Sequence, residues 1–95
     1  MKEKHAWTVA DDLIALYLYR FGDQKLPYSK TRITSERGIS TDEMEAEILR
    51  FKFLDFKGGL PNPSEQAQQV YASNNYKTEE ELRKTILQIL SMKGV

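Results

Sequence analysis

Enzyme chemistry needs nucleophiles, acids, bases or metal ligands that a fold can bring together. This chain offers few. It has one histidine, His5, and no cysteine. Thiolate chemistry and a disulfide framework are therefore excluded. His5 has no catalytic or metal-ligating partner nearby in sequence, and it lies in a polar stretch, residues 1–6, expected to be frayed. A site needs oriented partners on a rigid scaffold, so His5 reads as a solvent-exposed residue. The carboxylates fall into three groups: Asp11-Asp12, Asp42-Glu43 and Glu79-Glu80-Glu81. Each group stands where a helix should begin, and there capping and the helix dipole account for it. Gly58-Gly59 lacks the preceding strand that a phosphate-cradling loop requires. The expectation is a non-catalytic protein without metal or cofactor.

Nucleic-acid binding is the second chemistry to weigh. The run Ile33-Thr34-Ser35-Glu36-Arg37-Gly38-Ile39-Ser40 has the turn glycine and following apolar residue of a helix-turn-helix corner. The helix after it would lead with Thr41, Asp42, Glu43, Glu45 and Glu47, and those acids oppose phosphates. Positive charge lies on either side of them. We therefore take Arg20, Lys25, Lys30, Arg32, Arg37, Arg50 and Lys52 as the candidate DNA-binding residues, with Tyr19 and Tyr28 as aromatic contacts. Net charge is zero, so only a segregated basic face could bind, weakly and with salt sensitivity. The bland alternative is a helical corner with ordinary solvated charges.

These residues need elements to hold them. Thr8 with Asp11, Ser40 with Glu43 and Thr78 with Glu81 are capping boxes; Ser29 caps a short helix. Asn62-Pro63-Ser64-Glu65 reads as N-cap, N1 and N3 of another helix. The expected helices are Val9–Phe21, Lys30–Arg37, Thr41–Phe56, Pro63–Asn74 and Glu79–Met92. Gly22, Gly38, Gly58-Gly59 and Gly94 act as stops. No β-hairpin signal is present. The fold class is all-α: a compact bundle of about five helices, organised around residues 39–60. Phe51, Leu54 and Leu60 belong to its core. So do Trp7, Leu13, Leu16, Tyr17, Ile33, Ile39, Ile48, Val70, Leu82, Ile86 and Ile89. Leu49, Phe53 and Phe56 form a second stripe on the third helix. Asp55 is placed to hydrogen-bond backbone groups of the turn that follows.

Bulk numbers agree. Ninety-five residues make one domain, and 40% hydrophobic with 11% aromatic residues suffice for one core. No apolar run reaches the length of a membrane span, and no h-region follows the charged start. The chain is expected in the cytoplasm.

Met44, Arg50-Phe51-Lys52-Phe53-Leu54-Asp55, Gly59-Leu60, Ser64 and Val70-Tyr71 stand in an order that resembles a small helical domain. That domain lies at the N-terminus of HNH-type and related restriction endonucleases. It carries a helix methionine, an Asn-Phe-x-x-Leu-Asp run, Gly-Leu, a serine and Val-Trp or Val-Tyr. Trp7, followed by acids and a Leu-Ala-Leu-Tyr-rich helix, is similar to its start. The resemblance covers residues 7–74, with Arg50 where the domain has asparagine. It implies a DNA-associated module of restriction or mobile-element proteins. One histidine cannot supply a His-Asn-His nuclease set.

Three readings follow as expectations. The first is a DNA-binding or DNA-associated module, which a basic stripe on one face would favour. The second is a protein-interaction module, for instance a phage or mobile-element regulator, which an exposed apolar patch would favour. A structural domain without a partner is the third.

Overall fold

The computed structural model describes residues 6–91. The readings of His5, of the frayed start and of the final stop at Gly94 concern positions outside the described residues. Five helices and no strand occur among the described residues: α1 (Val9–Phe21), α2 (Lys30–Glu36), α3 (Thr41–Leu54), α4 (Glu65–Asn74) and α5 (Glu79–Ser91). None is long and apolar enough to cross a membrane.

The starts follow the side chains at each cap. Thr8 and Asp11 close a reciprocal box at α1, as do Ser40 and Glu43 at α3. Thr78 accepts from the Glu81 N–H at 3.2 Å, and Glu81 accepts from the Thr78 N–H at 2.9 Å. Ser29 caps α2. The start of α4 differs from the expectation. Asn62 adopts φ +65° and Pro63 precedes the helix, so Ser64 is the cap and accepts from the Ala67 N–H at 3.0 Å. Ser64 competes well because a hydroxyl one residue before the helix reaches the free N3 amide.

The bundle is organised around α1 rather than α3. Ile14, Ala15, Leu16, Tyr17 and Leu18 are all buried in succession, because α3, α4 and α5 pack on α1 from different sides. Met44 and Phe51 of α3, Ala67 and Val70 of α4, and Leu82, Ile86 and Leu90 of α5 complete the core with Leu26, Ile33 and Ile39. Trp7, Leu13, Ile48, Leu54 and Ile89 are only partly buried against it. Leu60 was expected in the core but is 37% exposed.

Hydrogen bonds tie the helices where polar groups meet the core. Asp55 does not cap the turn after α3 with its side chain. It accepts the Tyr71 hydroxyl at 2.6 Å and the Tyr19 hydroxyl at 2.7 Å, joining α3 to α4 and α1. Those two hydroxyls, Tyr71 foremost, hold the carboxyl below the usual carboxylate range. The Tyr17 hydroxyl donates to Glu79 at 2.6 Å and ties α1 to the start of α5.

Candidate protein-interaction surface

The seven cations singled out in the sequence do not stand together as unengaged charges. Arg20 donates to the carbonyls of Lys77, at 2.8 Å, and Asn74, and lies over the Phe21 ring. Lys25 is 3.6 Å from Glu79, and Lys30 pairs with Glu45. Arg32 pairs with Glu36 at 3.2 Å and covers the ring of Tyr28. Arg37 meets the buried Asp11 at 2.5 Å, and Arg50 meets Glu47 at 3.1 Å. Lys52 is half-buried and makes no ion pair among the described residues. Tyr19 is spent on Asp55.

Two of these pairs border a buried acidic knot. Asp11 and Asp12 are fully buried and Glu47 nearly so. Asp12 accepts from the Gln66 amide at 2.8 Å, while its Oδ1 has no donor. Burial first, then the hydrogen-bonded Glu47 carboxyl, pushes Asp12 up to about 8. The acid therefore keeps its proton at neutral pH, as a carboxyl beside another carboxyl in low dielectric must. The sequence gives Asp12 a dipole role at a helix start, and its burial was missed. The signal was that α1 has too few polar positions to leave one on every turn facing water. No group of three or more His, Cys, Asp or Glu residues that could hold a metal occurs among the described residues.

The other end of α3 is apolar and exposed. The helix stops at Leu54, two residues short of the expected Phe56 and ahead of Gly58-Gly59. Phe56 takes φ +60°, its N–H bonds to the Phe53 carbonyl at 3.0 Å, and the Lys57 N–H bonds to the Lys52 carbonyl at 3.1 Å. This is a helix-closing turn whose left-handed position usually belongs to glycine. The chain then doubles back, and the Leu60 N–H bonds to the Leu49 carbonyl at 3.1 Å. Gly59 permits that approach: a Cβ there would lie 2.2 Å from the Leu49 carbonyl oxygen.

The result is a knuckle. Leu49 and Phe53, one turn apart, show 36% and 42% of their surface, and Leu60 is held beside Leu49. Phe56 protrudes at 95% exposure. Lys57 follows it in the chain and lies 3.6 Å from Asp55. The sequence placed Leu49, Phe53 and Phe56 on one stripe without assigning them to solvent. The clue was the density of LRFKFLDF, which carries more large apolar residues than one buried face can take.

Beside the knot lies a cleft of about 520 Å³, walled by Trp7, Glu43, Ala46, Glu47, Arg50, Asn62 and Ser64. Arg50 and Ser64 belong to the motif order described above, as do Asp55 and Tyr71, which bond to each other. No family model, no curated protein and no solved structure matches this chain, so its likeness to the restriction-endonuclease domain rests on motif order alone.

Proposed function

We propose that this chain is a non-catalytic interaction module that docks a protein partner through the knuckle at the end of α3. Phe56 carries the reading. A side chain with a Cβ in the left-handed region costs about 1–2 kcal/mol. Leaving a phenylalanine in water also forgoes about 1.5–3 kcal/mol of burial. Folding alone favours neither, at a position where glycine would serve the backbone better. Aromatic residues are enriched at interfaces because they bury much area with few rotatable bonds, and Leu49, Phe53 and Leu60 extend the contact. Duplex DNA is the competing ligand. Its phosphates would have to draw Arg20, Lys25, Lys30, Arg32, Arg37 and Arg50 from carboxylates or carbonyls that already hold them.

The test is photo-crosslinking from a benzophenone amino acid placed at position 56 in cells producing the protein. Tyr76, 72% exposed, is the control position. Discrete protein adducts from position 56 and none from 76 are expected. A labelled duplex titrated at low salt is the second arm. Equal crosslinking from both positions, or tight duplex binding with no protein adduct, would overturn the reading.

A further inference from the structure

We infer that Asp55, gripped by the hydroxyls of Tyr19 and Tyr71, is the positioning residue of the knuckle and fixes the direction in which Phe56 is offered. The inference rests on the docking reading above and names what prepares that site. At 95% exposure the Phe56 ring has almost nothing of its own fold to lean on. Its direction is therefore set by the backbone that carries it. A contact is stronger when its group is already held in the bound geometry, because less conformational freedom is lost on binding.

That backbone is the end of a helix, where a chain ordinarily frays. Here it is held from both sides. Asp55 precedes Phe56. Its Oδ1 accepts the Tyr71 hydroxyl of α4 at 2.6 Å, and its Oδ2 accepts the Tyr19 hydroxyl of α1 at 2.7 Å. Lys57 follows Phe56 and returns to the same group, with Nζ 3.6 Å from Oδ2. One carboxylate thus brackets Phe56 and anchors it to two other helices. Further on, the Leu60 N–H bonds to the Leu49 carbonyl at 3.1 Å and closes the other side.

Burial does not account for this clamp. The Asp55 side chain is 32% exposed, so water could solvate its carboxylate. Instead each oxygen takes a tyrosine hydroxyl at the short distance of a charge-assisted bond. Tyr71 first, then Tyr19 and Lys57, hold the carboxyl below its usual range, so it is an ionised acceptor at neutral pH. Tyr19 and Tyr71 also pack on the core, which makes them rigid posts rather than surface tethers.

The experiment uses Tyr19→Phe with Tyr71→Phe, which removes both hydroxyls and keeps both rings. Tyr17→Phe is the control: it breaks an equally short bond, 2.6 Å to Glu79, that ties α1 to α5 instead. Circular dichroism checks that both stay folded. Amide hydrogen exchange by NMR then follows the Phe56 and Lys57 N–H groups against that of the buried Ile86. Crosslinking from the benzophenone at position 56 follows docking. In the double variant, exchange at 56 and 57 should rise about tenfold relative to Ile86, the scale of losing a bond to a charged group. Crosslinking should fall with it. Tyr17→Phe should move neither reading. Tyr71→Phe alone should give a smaller rise, and it carries the same test if the double variant does not fold. Unchanged exchange at 56 and 57, or adducts undiminished in the double variant, would overturn the positioning role and leave docking standing. An equal effect from Tyr17→Phe would do the same, since the clamp would then be ordinary stability. A wild type that gives no adduct from position 56 overturns the docking reading and the positioning role with it.

Discussion

The ends of α2 and α3 share one backbone motif and fill it with opposite residues. At α2 the Gly38 N–H bonds to the Ser35 carbonyl and the Ile39 N–H to the Thr34 carbonyl, at 3.2 and 2.9 Å. At α3 Phe56 and Lys57 make the matching bonds to Phe53 and Lys52. The left-handed residue is glycine at φ +75° in one and phenylalanine at +60° in the other. The residue after it is an isoleucine only 4% exposed in one and an exposed lysine in the other. The α2 end has the residues that stability favours: no Cβ at the strained position and an apolar anchor beyond it. The α3 end has neither. Equal geometry with unequal chemistry is the contrast on which the proposed docking role of Phe56 rests.

The largest expected effect checks that α3 is split between a buried side and an exposed end. Phe51→Ala should cost about 3–5 kcal/mol, because Phe51 is fully buried. A loss below about 1 kcal/mol in chemical denaturation would remove the split.

Next is the residue after each turn. Ile39→Ala should cost about 2–5 kcal/mol as a core truncation, while Lys57→Ala should change stability by about 0.5 kcal/mol or less. Similar losses at both positions would erase the comparison.

The third prediction separates the knuckle from the acidic knot through pH. Asp12 holds its proton up to about 8 when folded and releases it near 3.8 when unfolded. The folded state therefore binds more protons between those values, and stability falls as pH rises from about 4 to about 8. Asp12→Asn should flatten that slope in denaturation series across this range, and Phe56→Gly should leave it unchanged. Asp55 acts oppositely. Its lowered value adds stability that is lost only as pH falls below the ordinary carboxylate range.

The smallest effect is the most direct. Phe56→Gly should raise stability by up to about 1 kcal/mol, and Gly38→Ala should lower it by about the same amount. Thermal denaturation of the pair reads both signs. A loss at Phe56→Gly would mean the ring supports the fold, and the docking reading would lose its main support.

Most of the fold was legible because local chemistry dictates it. Thr8, Ser29, Ser40 and Thr78 each satisfy amides a few residues away, so their helices begin where the sequence puts them. The end of α3 was not legible. Phe56 fits the helical period, and glycine, the usual stop, comes only at Gly58. Tertiary pairings were hidden for a different reason. Asp55 with Tyr19 and Arg37 with Asp11 are separated by 36 and 26 residues, beyond any local rule. Asp55 with Tyr71 is the partial exception. The motif order put both residues on the page, but only the fold shows that one accepts the other's proton donor.

Trp7 is the only tryptophan in the chain, and it lines the cleft. Its indole is therefore a built-in fluorophore on the wall of that cleft. Filling the cleft would strip water from the indole and shift its emission to the blue. Occupancy could then be followed in real time, on unlabelled protein, against tyrosines whose emission falls at shorter wavelength.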